Sequence, residues 1–88
     1  MYVHLGNDVS VRVKDLIGVF DMDVTTTSKD TRAFLKKCED DQLVTNVSSD
    51  LPKSFVLCSA EGPAQLYVCA VSAATLKKRA ENFSAHME

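Results

Sequence analysis

Residues 1–21 read MYVHLGNDVSVRVKDLIGVFD, and the fold follows from how this stretch is divided. Val9, Val11 and Val13 alternate with Ser10, Arg12 and Lys14, the two-residue period of a half-buried strand with a basic outer face. Tyr2 to Leu5 reads as a short strand before it, and Gly6-Asn7-Asp8 supplies the turn, so the pair predicts an antiparallel hairpin. Leu16 to Phe20 is apolar on both faces, which predicts a central strand covered on both sides, after a bend at Lys14-Asp15.

Beyond this stretch the periodicity changes. Thr27 with Asp30 resembles a capping box, Asp standing in for the usual Glu, and predicts a helix over 28–41. On it Thr31, Phe34, Leu35 and Cys38 share one face, and Lys29, Arg32 and Lys36 the opposite, solvated one. Residues 43–52 read as a loop with a brief extended piece at 44–47, ended by Pro52. Two further strands, 53–59 and 65–70, flank the loop Ala60-Glu61-Gly62-Pro63. Symmetric pairing sets Val56 opposite Tyr67, Leu57 opposite Leu66, Cys58 opposite Gln65 and Ser54 opposite Cys69. Ser72 caps a last helix through Ser84 that packs through Ala73, Leu76, Ala80 and Phe83. The expectation is an α+β fold, a small antiparallel sheet of about five strands with two helices in the order βββαββα.

A chain of 88 residues makes one domain with a thin core, since at this size only roughly 60 to 65% of the unfolded surface is buried. Oligomerisation would supply further burial. The net charge of −2 argues against coating nucleic acid by bulk positive charge, so any anion binding must use a local patch. Candidate patches are Arg12/Lys14, Lys29/Arg32/Lys36/Lys37 and Lys77/Lys78/Arg79; the last three fan around a helix at 100° intervals instead of forming a stripe. Arg12 and Lys14 on a rigid sheet face could reach adjacent phosphates, although charges on an edge strand also discourage sheet-to-sheet aggregation. No apolar run approaches the ~20 residues of a membrane span and no signal segment opens the chain, which points to the cytoplasm. Three cysteines without a C-x-x-C pair fit a reducing compartment and small apolar packing roles. The predicted register separates Cys58 and Cys69 by roughly 13 Å along the strands, too far for a disulfide.

The groups an enzyme requires are poorly represented. His4 alternates with Val3 and Leu5 as a polar-face strand residue, His86 lies near the C-terminus, and no Ser or Cys has a nucleophile context. Asp21 and Asp23 could flank a divalent cation but lack the further ligands of a calcium loop, and read as solvated turn residues. Neither a G-x-G-x-x-G nor a P-loop motif occurs. Catalytic, cofactor-binding and metal-binding residues are therefore assigned to none, with no cofactor and no small-molecule substrate expected.

MYVHLGND at the start, KDLIGVFD over 14–21, AFLKK over 33–37, PKSFVL over 52–57 and S-x-x-TLKKRA over 72–80 together resemble the extracellular matrix regulatory protein family, RemA and RemB, the RemB branch most closely. The resemblance spans nearly the whole chain as one RemB-like domain, 1–88. It implies a cytosolic, non-enzymatic DNA-binding transcription regulator of matrix and biofilm genes, assembled as a ring-like homo-oligomer. In the RemA branch the implied DNA contacts are a basic residue just before the central strand, matched here by Lys14, and arginines leading into the later hairpin. Ser49-Asp50-Leu51-Pro52 stands in place of that arginine pair, and only Lys53 keeps a basic side chain. The expected DNA contacts are Arg12, Lys14 and Lys53. The alternative is a protein–protein interaction or scaffold module that assembles with partner regulators without touching DNA.

Overall fold

A computed structural model describes residues 2–25 and 28–87, with side chains described over 2–23 and 28–81. Its elements are β1 (Tyr2–Gly6), β2 (Val9–Arg12), a 3-10 turn (Val13–Asp15), β3 (Leu16–Asp21), α1 (Met22–Thr25), α2 (Lys29–Asp40), β4 (Val44–Asn46), β5 (Ser54–Cys58), β6 (Gln65–Cys69) and α3 (Ala73–Met87). The α+β class holds. The strands form two sheets: a β1–β2 hairpin and a four-stranded sheet in the order β3-β5-β6-β4.

The hairpin turns at Asn7, whose φ of 47° lies in the left-handed region that asparagine tolerates. Its amide Nδ2 donates to the Val47 carbonyl at 2.5 Å, joining the hairpin to the chain beyond β4. His4 Nε2 donates to the Asn7 carbonyl at 2.6 Å, so this exposed imidazole braces its own turn.

β5 and β6 pair in the predicted register, with Val56 opposite Tyr67, Leu57 opposite Leu66, Cys58 opposite Gln65 and Ser54 opposite Cys69. All three cysteines are free and buried. The extended piece at 44–47 is realised as β4, which runs parallel to β6 with Val44 opposite Leu66. The larger sheet is thus mixed, because the loop before β5 carries the chain back before it pairs with β6.

Leu16–Asp21 departs from expectation: β3 is an edge strand and β5 is interior. Val19 packs on one face with Val56, Cys58, Cys69, Ala73 and Leu76, under α3 and the hairpin. Phe20 packs on the other face with Phe55, Leu66 and Cys38, under α2. Apolar residues on both faces of a strand report cover above and below the sheet, and carry no information about neighbours in the hydrogen-bonding direction. In β5, accordingly, Ser54, Phe55, Val56 and Cys58 are buried whichever face they occupy.

Each long helix is capped by a serine. The Ser28 hydroxyl accepts the Thr31 N–H at 3.4 Å and the Ser72 hydroxyl accepts the Thr75 N–H at 3.2 Å. Thr27, the expected first cap, lies outside the described residues. Along α2 Cys38 is buried and Leu35 half-buried, but Phe34, expected on the packing face, is 43% exposed. In α3 Ala73 and Leu76 are buried as expected, whereas the Phe83 side chain lies outside the described set. Among the described residues no helix is long and apolar enough to cross a membrane.

Candidate nucleic-acid interface

Of the basic residues near the hairpin, Arg12 ends a strand and Lys14 lies in a turn. β2 ends at Arg12, and the Leu16 N–H closes a 3-10 turn by donating to the Val13 carbonyl. Strand alternation therefore stops before Lys14, and the expected common sheet face for Arg12 and Lys14 does not form. Arg12 Nε instead donates to Asp15 Oδ2 at 2.7 Å, from a side chain 45% exposed to one only 16% exposed. Both residues line an open cleft of about 360 Å³ with Tyr2, Gln65 and Tyr67. The pair offsets much of the Arg12 charge and leaves the terminal guanidinium nitrogens as its outward donors. Lys14 is exposed on the same turn.

Lys53 lies at the other end of the sheet. Its N–H donates to the Cys69 carbonyl at 2.8 Å and its carbonyl accepts the Met22 N–H at 3.0 Å, so its backbone is clamped while its side chain is exposed. Past the opposite end of β5, the Ser59 N–H donates to the Asp15 carbonyl at 2.8 Å. The steps from 53 to 59, at about 3.3 Å each, separate these ends by roughly 20 Å. Arg12 and Lys14 flank one bend without sharing a sheet face, and Lys53 is held apart from both. The loop before Lys53 presents Leu51, 83% exposed, where the resemblance places arginines.

The remaining basic clusters divide by role. Arg79 Nη1 donates to the His4 carbonyl at 2.8 Å, tying α3 to β1, while Lys77 and Lys78 stay exposed. Lys37 lies 3.6 Å from Asp41 on the solvent face of α2, a geometry that contributes little in water. Asp21 Oδ1 accepts the Asp23 N–H at 2.9 Å, which gives Asp21 a turn-capping role at the start of α1. Among the described residues no cluster of His, Cys, Asp or Glu could hold a metal ion.

The thiols are not poised for nucleophilic work. Burial pushes Cys58 and Cys69 up to about 11, helped by the Asp15 charge near Cys58 and opposed at Cys69 by a hydrogen bond with Ser54. Burial also raises Cys38. All three are thiols, not thiolates, at neutral pH.

Sequence reasoning missed the Arg12–Asp15 pair, although the three-residue spacing across the bend is a readable signal. It also missed Ser54, which is fully buried and donates to the Val71 carbonyl at 2.7 Å. That hydroxyl fixes the segment leading into α3, and a serine inside an apolar run carries no sign of its distant acceptor.

No protein-family model matches the chain. Over 81 residues, 92% of this chain and 91% of the relative, it is 37% identical to extracellular matrix regulatory protein B of Bacillus subtilis (strain 168). At that identity, over nearly the full length of both chains, the chain belongs to the extracellular matrix regulatory protein B family.

Proposed function

We propose that this protein is a cytoplasmic, oligomeric DNA-binding regulator of the transcription of extracellular matrix and biofilm genes, and that it acts without catalysis. The observation that carries the reading is the near full-length similarity to a protein named as a matrix regulator. Exposed Lys14 and Lys53, and a third cation in the partly neutralised Arg12, supply the anion contacts.

One subunit alone is a poor DNA ligand. Lys14 and Lys53 lie roughly 20 Å apart, about six base pairs at 3.4 Å each, so each meets a different phosphate. A homo-oligomer, closed as a ring, repeats these contacts along the duplex. At about 6 to 10 phosphates neutralised, affinity falls by about 10³ to 10⁵ between 50 and 200 mM salt. Specificity then arises from DNA shape and bendability.

Fluorescence-anisotropy titration of a duplex with wild type, Lys14→Ala and Lys53→Ala tests this reading. Each substitution lowers affinity and reduces the salt slope by about one unit or more per complex. Isotherms unchanged by either substitution would remove both residues as contacts and favour the second reading, a scaffold that joins proteins. Its support is the open apolar groove lined by Phe20, Phe34, Phe55 and Leu57.

A further inference from the structure

The cleft beside the Arg12–Asp15 pair is lined from two sheets. Tyr2 and Arg12 are cross-strand partners in the hairpin, and Gln65 and Tyr67, two residues apart on β6, project from one face of the mixed sheet. The chain has two tyrosines and no tryptophan, and both tyrosines line this cleft. Tyr67 and Gln65 are half-buried, and Tyr2 is 57% exposed. Among the described residues the hydroxyls of Tyr2, Tyr67 and Ser10 and the side-chain amide of Gln65 make no hydrogen bond, and none of these atoms is sealed from solvent. The fold spends the Ser54 hydroxyl of the same sheet on its own backbone and leaves these polar ends open.

We propose that this cleft binds a purine nucleotide, its base stacked on tyrosine and its phosphate held by Arg12. Accessible aromatic rings are what unpaired bases stack on, and a purine offers the larger π face. Arg12 Nε is taken by Asp15 Oδ2, which leaves the two terminal nitrogens as paired donors for a phosphate, with exposed Lys14 two residues on adding charge. Asp15 keeps its second carboxylate oxygen and Gln65 keeps both amide atoms, which suit the edge of a base that carries an exocyclic amine. The carboxylate selects against other flat anions. An aromatic acid could use the rings and Arg12 but would bring its negative charge to Asp15, whereas a base is neutral, donates N–H groups and carries its charge a sugar away. At about 360 Å³ the cleft is near the lower end of the ~300–1,000 Å³ of small-ligand pockets, which suits one nucleotide and not a duplex. A free nucleotide and an unpaired nucleotide within a single strand offer the same chemistry.

The site shares Arg12 with the proposed duplex contact and otherwise stands apart from that reading. Calorimetric titration of the full chain with GMP and AMP measures affinity, with ribose 5-phosphate and guanosine as probes that lack the base or the phosphate. NMR of the tyrosine ring protons reports the site, since both tyrosines line it. Both purine nucleotides are expected to shift those protons upfield and to bind about tenfold or more tightly than either partial probe. Tyr2→Leu, at an exposed position, and Tyr67→Leu each weaken binding by about tenfold, and Arg12→Gln brings GMP to the level of guanosine, with circular dichroism to verify folding. A single-stranded purine hexanucleotide that binds more tightly than GMP, and loses that affinity in Tyr2→Leu, supports the site with a strand as its source; one that binds no more tightly supports it with the free nucleotide. Nucleotides that bind no better than ribose 5-phosphate, or binding indifferent to both Tyr2→Leu and Arg12→Gln, overturn the proposal. Duplex binding that persists in that case leaves the proposed function standing, and nucleotide binding by a chain that binds no duplex overturns the proposed function alone.

Discussion

Arg12 donates through Nε to Asp15 at 2.7 Å, closing the bend between the hairpin and the mixed sheet. The pair holds a cation in place and takes away much of its charge. Asp15→Asn keeps the backbone carbonyl that receives Ser59 and removes the carboxylate. The variant is predicted to bind duplex DNA more tightly, with a salt slope steeper by about one unit per freed arginine engaged. Anisotropy titrations at several salt concentrations check it; an unchanged slope would mean that Arg12 makes no phosphate contact.

The contact from Arg79 to the His4 carbonyl joins positions 75 apart in the chain. Arg79→Ala removes a charge-assisted hydrogen bond at a partly exposed site and is predicted to cost about 1 kcal/mol. In a domain of this size that lowers Tm by about 4 to 8 °C in a thermal melt. A melt superimposable on wild type would show that α3 holds the hairpin through apolar packing alone.

Gly18 lies against the tip of the Phe20 ring. A Cβ at position 18 would lie 2.7 and 2.9 Å from carbons of the Phe20 ring, which is stacked at 5.1 Å on Phe55. Gly18→Ala therefore forces that ring from its stack, and the predicted destabilisation is about 1 to 3 kcal/mol in urea unfolding. A cost below about 0.5 kcal/mol, the range of a neutral surface change, would show that the ring relocates freely.

The buried thiols make stability fall at high pH. Cys58 and Cys69 ionise at about 11 in the folded chain against 9.0 for the ordinary thiol. Above the lower value the unfolded chain loses protons that the folded chain retains, so stability is full below it and declines until the folded thiols ionise. Urea midpoints are predicted to drop between pH 8.5 and 10.5, by about the amount that thiol ionisation contributes, and to drop less in a Cys58→Ala/Cys69→Ala variant. Equal declines in both proteins would assign the effect to other groups.

The parts of the fold legible in the sequence are those set by neighbouring residues. The short β5–β6 loop, with pairing symmetric about it, fixes the register of Val56 with Tyr67, and Ser72 announces α3. Position within a sheet is not written locally. Leu16 to Phe20 has the same two-sided apolar character as β5, yet lies at the edge because the chain returns β5, not β2, to its side. The three-residue β4 is too short for a period to emerge, and its parallel partner is distant in sequence. At the candidate interface Lys14 and Lys53 could be named from the chain, but their placement at opposite ends of β5 could not. Arg12 kept its strand and lost its expected companion to a turn closed by the Leu16 N–H.

The most direct test of the central claim is the affinity of the wild-type protein for duplex DNA across 50 to 200 mM salt, with the mass of the complex determined in the same buffers. An oligomeric complex whose affinity falls by about 10³ or more across that range is the predicted result. An intact oligomer that binds no DNA at the lowest salt would contradict the account and leave a protein-assembling scaffold in its place.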